Sequence, residues 1–313
     1  MSARLVIGFI SMSLVAGSAA AQNCCAPAVP QQGIMGETIA LPHVLNAALH
    51  YEYLRAEDMY TGSDRACDLT GTTTTWKRST LTLAYGVSSR IGVTAVIPYI
   101  WKIKTRYLPA VDTQVKNTTD GLGDVSLVGQ FSVIPRDFVT YREVSIGLGV
   151  KLPTGATDKR NYGFLLPEEL QPGTGSWDFL GSISFYQGWE LVDIYASSSY
   201  QVTTESEGFK FGSQLFYLLS ANLHVMGRLD VSLAFSGTVR GEDRQDGESP
   251  ESTGRHQLWI VPGLQAQVIP RWLRLQLYFE APVYQHFNGT QLGSEYNFRL
   301  TAASSIPLFH GEE

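Results

Sequence analysis

No stretch of this chain stays apolar for the roughly 18 residues that a membrane-crossing helix needs. A sustained 3.6-residue period is missing too, so helical bundles fall away together with helical membrane proteins. Charged residues make up only 17% of the sequence and sum to −6, which gives a nucleic acid nothing to attract it. Cysteine is scarce: Cys24, Cys25 and Cys67 are the three in 313 residues, with no C-x-x-C spacing and no histidine beside them. That argues against a structural metal site. In an exported chain it leaves two alternatives, a disulfide of Cys67 with Cys24 or Cys25 that strands one thiol, or idle thiols.

What is present begins with an export signal. A single Arg4, an apolar run from Leu5 to about Ala16 and the small residues Ala19, Ala20 and Ala21 follow the order of a secretory signal peptide, so cleavage is expected after Ala21. Residues 1–21 are then the signal and 22–45 a periplasmic tail or a plug. Glycine (30), tyrosine (15) and phenylalanine (14) are abundant, and a mean hydropathy of −0.04 conceals no contiguous apolar segment. An exported chain of this kind is either a soluble β-protein or a transmembrane β-barrel, whose lipid face is only every second residue.

From about Asn46 the apolar residues recur with period two. In DVSLVGQFSV, Val125, Leu127, Phe131 and Val133 oppose Asp124, Ser126, Gln130 and Ser132; in RLQLYFEAPVY, Leu275, Leu277 and Phe279 oppose Arg274, Gln276, Tyr278 and Glu280. Twelve such runs follow one another, near 47–57, 76–87, 90–104, 122–134, 141–152, 176–187, 190–202, 210–222, 226–239, 255–268, 272–284 and 294–306. Each is long enough for a tilted membrane strand of about 9–11 residues. Connections alternate between short links such as SSR and QGWE and long polar ones such as 58–75, 105–121 and 153–175, with 285–293 after the eleventh run. Short periplasmic turns and long extracellular loops are the asymmetry of an up-and-down outer-membrane barrel. The expected fold is therefore all-β, an antiparallel barrel of about twelve strands over 46–309 with a C-terminal extension at 310–313. Trp76, Tyr99, Trp101, Trp177 and Trp259 toward the long loops, and Tyr141, Trp189, Trp272 and Phe309 toward the turns, would form its two aromatic girdles.

Site-like motifs do not survive inspection. GTGSWD and DGLGDVSLVG have neither the lysine nor the following helix of a P-loop, and Gly121–Gly123 lead to Ser126 where a dinucleotide motif requires glycine. Ser176 lacks the flanking glycines of a nucleophile elbow. The six histidines lie in unrelated segments. No catalytic residue, cofactor or metal ligand is expected, and the chain is not read as an enzyme.

The face opposite the apolar one should line a lumen, and its charges are the constriction candidates: Glu52, Asp124, Lys151, Asp178, Arg228, Asp230, Arg274, Glu280 and Arg299. Arginine and lysine cost about 2–4 kcal/mol at the lipid midplane, so they collect inside. They either select solutes at a polar constriction, or Arg228, Arg274 and Arg299 pair with Asp230, Glu280 and Glu295 to fill the interior. Loop 153–175 carries the apolar patch NYGFLLPEEL, in which Tyr162, Phe164, Leu165 and Leu166 are candidates for a lid or entry site.

Three ordered segments, DGLGDVSLVGQFSV (120–133), GLGVKLPTG (147–155) and PGTGSWDF (172–179), resemble the meta-pathway phenol-degradation family of outer-membrane transporters. The likeness extends from about Asn46 to Phe309. It implies a channel in the bacterial outer membrane for passive uptake of small aromatic or hydrophobic solutes. Its partners would be membrane lipid and lipopolysaccharide, the barrel assembly machinery and the solute. The alternatives are a closed barrel serving as a structural or adhesion platform through its loops and, behind that, a barrel-embedded enzyme. Two features depart from the family pattern, the ending PLFHGEE in place of a terminal aromatic and the N-terminal NCCAPAVPQQG.

Overall fold

In hydrocarbon every backbone N–H and C=O must find its partner within the protein, and an alternating sequence satisfies this only by closing its sheet. The computed structural model, which describes residues 39–68, 70–108, 112–136, 139–270 and 272–308, does so. Eleven strands form the ring: β1 (Val44–Gly62), β2 (Thr73–Gly86), β3 (Ile91–Leu108), β4 (Ser126–Ile134), β5 (Arg142–Lys151), β6 (Asp178–Gly188), β7 (Val192–Val202), β8 (Gln214–Met226), β9 (Leu229–Arg240), β10 (Arg255–Ile269) and β11 (Leu273–Pro307). Each pairs with its chain neighbours in antiparallel fashion, and β11 returns to β1 to close the barrel.

At 35 residues, β11 contains two of the twelve expected runs. Its first arm, through Phe287, pairs with β10, whereas its second, from Thr290 to Pro307, pairs with β1. The arms touch: Asn297 Nδ2 donates to Glu280 at 2.9 Å, and the Phe279 and Tyr296 rings lie 6.2 Å apart. The chain folds back at Asn288–Gly289, where Gly289 has φ +66°, a conformation cheap only for glycine. The long connection expected at 285–293 is therefore a tight turn.

Other expected loops also contain strand. Thr113–Leu122 folds back on the upper part of β3, so 105–121 is largely a hairpin, and β1 continues to Gly62 before Asp64–Arg65 pair back onto it. Polar alternation continues into water and keeps these ladders intact. The loops at 203–213 and 241–254 meet in a small sheet of Glu205–Ser206, Phe209–Lys210 and Arg244–Gln245.

Outward faces are apolar as the alternation requires, with Leu49, Leu127, Leu148, Phe179, Ile183, Phe235 and Phe279 exposed. The girdles need correcting. Tyr99, Trp177, Trp189 and Trp272 are exposed, but Trp259 is only 8% exposed and points inward, and the Trp76 indole nitrogen is buried inside. Both share a face with inward neighbours, Trp259 with Gln257 and Trp76 with Arg78, so parity overrides proximity to a loop. Phe309 lies outside the described residues. At the turn end, Ile39 and Ala40 are buried, and the Ile39 N–H donates to the inward carboxylate of Glu143 at 3.2 Å.

Candidate functional site

Register assembles the upper lumen. Lys151, at the end of β5, lies opposite Asp178 on β6 and Ser126 on β4. Its ammonium is 2.7 Å from Asp178 Oδ2 and 3.1 Å from Asp124 Oδ2, all three side chains being nearly inaccessible. Asp124 also accepts from the Gly155 N–H, the Thr174 N–H and the Thr174 hydroxyl, at 2.9, 2.9 and 2.7 Å. Asp178 accepts from the Ser176 hydroxyl at 2.9 Å and from Gln201 Nε2 at 2.6 Å.

These bonds fold the connection 152–177 inward. Lys102 on β3 donates to the carbonyls of Glu169 and Gln171 at 2.9 and 2.7 Å, and Lys104 reaches the Glu169 carboxylate at 2.7 Å. The buried Gln171 amide ties the loop to itself through the Lys159 N–H and the Lys159 and Leu166 carbonyls. Charged groups pulled from water persist only when paired or hydrogen-bonded, so each anchor has its complement.

On the other side of the lumen the sheet register lines up Arg78, Glu52 and Arg299. Arg78 Nε lies 2.5 Å from Glu52 Oε2 and Arg299 Nε 2.8 Å from Glu52 Oε1, while the other end of Arg299 pairs with Glu280. The inner wall between the clusters is mixed: Phe216 and Trp259, which belong to a buried apolar group with Tyr195, Leu218, Val261 and Tyr278, stand beside Gln201, Gln214, Arg255 and Gln257. A cavity of about 170 Å³ lies in the lumen, its wall including Trp76, Phe211, Phe216 and Trp259 beside Glu52, Lys102, Asp124, Lys151, Asp178 and Glu280.

Of the constriction candidates, Glu52, Asp124, Lys151, Asp178 and Glu280 therefore line this space, and Arg299 pairs with two of them. Three do not. Arg228 and Arg274 are exposed and Asp230 binds His224 Nδ1 at 2.8 Å, all at the turn end. Alternation reveals a residue's face but not its height, and strand ends carry charges too. The interior pairing also differs from the expected set: Arg299 takes Glu280 and Glu52, and Glu295 lies 3.8 Å from Arg55. In the loop, Tyr162, Phe164 and Leu165 are exposed around a small hairpin, whereas Leu166 is 5% exposed and turned inward. Cys67 is exposed, and Cys24 and Cys25 lie outside the described residues. The aromatic wall and the amides Gln171, Gln201 and Gln214 were missed. Its signal was available: Phe216 and Trp259 occupy the polar parity of their strands, where a purely water-filled pore would carry small or charged residues.

A closed antiparallel barrel with an apolar belt and an interior of paired charges defines an outer-membrane β-barrel. The chain belongs to the family described as "Putative MetA-pathway of phenol degradation", whose model matches residues 62–296, and its place is the bacterial outer membrane. Among solved structures, it is similar to the COG4313 outer membrane channel from Pseudomonas putida F1, with TM-score 0.68 and 12% identity over 87% of this chain and 98% of that one. The transport unit of the autotransporter AIDA-I from Escherichia coli (TM-score 0.44, 10% identity, 85% and 90% covered) and the translocator domain of NalP from Neisseria meningitidis (0.43, 8%, 87% and 90%) are more distant. No curated protein matches the chain in sequence.

Proposed function

We propose that the protein is a passive outer-membrane channel for small aromatic or otherwise hydrophobic solutes. The observation that carries this reading is the cavity inside the barrel, where aromatic faces from Trp76, Phe211, Phe216 and Trp259 stand beside paired charges. A water-filled porin has no use for such a wall. A planar ring gains by stacking on it and by leaving water. The family description, which names phenol degradation, and the channel of similar fold point the same way.

The test is solute entry into proteoliposomes, with folding verified by heat-modifiable gel mobility. Faster entry of benzyl alcohol than of a sugar of similar size supports the reading. Folded protein that admits neither, and is silent in planar bilayers, would favour a platform held closed by the anchors of loop 152–177.

A further inference from the structure

On the cavity wall, the buried polar atoms Trp76 Nε1, Gln214 Oε1 and Asn297 Oδ1 have no hydrogen-bond partner among the described residues. Gln214 and Asn297 are 4% and 7% exposed. Buried polar groups are otherwise almost always paired, and here the neighbouring carboxylates determine which atom is left over. Asp178, held by Lys151, accepts from Gln201 Nε2 at 2.6 Å, which turns Gln201 Oε1 toward Gln214. Gln214 Nε2 donates to that oxygen at 3.2 Å, so the carbonyl of Gln214 is the end of the chain. Independently, Glu280 takes the Asn297 amide nitrogen at 2.9 Å and leaves the Asn297 carbonyl over. Flipping Asn297 would set its oxygen against the Glu280 carboxylate, and flipping Gln214 would set its oxygen against the Gln201 carbonyl, which Asp178 holds in place. Leu54 lies opposite both Trp76 and Asn297, so these two are about 10 Å apart across the strands, and β8 brings Gln214 from across the ring.

From this geometry we infer a binding site for an uncharged, planar solute that carries at least two hydrogen-bond donors, of the class of dihydroxylated aromatic rings. Two fixed acceptors, Gln214 and Asn297, take its O–H groups, the Trp76 N–H donates to one of its oxygens, and Phe216 and Trp259 cover the ring. The Gln214 and Asn297 carbonyls are neutral and the carboxylates nearby are already paired, so a cation finds no free counter-charge to replace its water, and an anion has lost the O–H that these carbonyls bond. A site built to bond an O–H discriminates strongly against the analogue without one, because its own carbonyls are then left buried and unpaired. This inference rests on the aromatic-solute reading above and adds to it the residues and the donor requirement.

Calorimetric titration of the folded, detergent-solubilised protein with resorcinol and with its dimethyl ether separates the two readings. Binding of resorcinol about tenfold or more tighter than the ether, with Gln214→Leu and Asn297→Leu each removing most of that preference, is the expected result. Equal binding of both ligands, or none of either, overturns the inference, and the comparison on the unaltered protein decides it even where a variant fails to fold. Selective binding without entry into proteoliposomes would count against the channel alone.

Discussion

Glu52 and Arg299 lie directly opposite each other where the first strand meets the last, with Arg299 Nε 2.8 Å from Glu52 Oε1. The seam of the barrel is thus closed by a buried ion pair, which Arg78 and Glu280 extend on either side. Removing one partner leaves the others buried with unbalanced charge, a loss of about 3–5 kcal/mol. Arg299→Met should accordingly lower the temperature at which the protein loses its heat-modifiable gel mobility, and Glu52→Gln combined with Arg299→Gln should recover part of the loss.

Asp124 anchors loop 152–177 through Gly155 and Thr174. Asp124→Ala removes that acceptor from two backbone N–H groups and should free the loop from the wall. Single-channel conductance should rise, with larger fluctuations of the open current.

Asp178 balances Lys151 together with Asp124. Asp178→Asn shifts the local balance by one positive charge at a narrow, low-dielectric place, where charge is felt most. Reversal-potential measurements in a salt gradient should move toward anion preference, and an unchanged potential would remove this cluster from the ion path.

Tyr162, Phe164 and Leu165 expose apolar surface at the tip of the loop hairpin, while Leu166 and Leu170 are buried beneath it. If the tip first captures apolar solutes, replacing Tyr162, Phe164 and Leu165 by serine should slow their entry severalfold and leave small-ion conductance as it was. Flux assays on the same proteoliposomes compare the two directly.

Gly263 on β10 lies opposite Tyr278, and a Cβ there would sit 2.2 Å from the tyrosine ring. The ring lies flat on the wall only because that position has no side chain. Gly263→Ala should displace it into the lumen and cost about 1–3 kcal/mol in urea unfolding.

Strand number, inside and outside, and the two ends of the barrel were legible along the chain, because period two and alternating loop length are local properties that hydrocarbon enforces on each strand separately. That is why the expected runs at 141–152 and 255–268 agree closely with Arg142–Lys151 and Arg255–Ile269. Strand extension was not legible, since a polar ladder such as Thr113–Leu122 looks like loop until it finds a partner. Height was not legible either. Arg228 and Arg299 share a parity rule, but only register with β1 places Arg299 against Glu52, while Arg228 remains at a turn. Tertiary structure alone decided that Trp76 and Trp259 meet on one cavity wall, that loop 152–177 folds inward, and that two amide carbonyls are left unpaired. Each depends on contacts between segments far apart in the chain, which closure of the ring brings together.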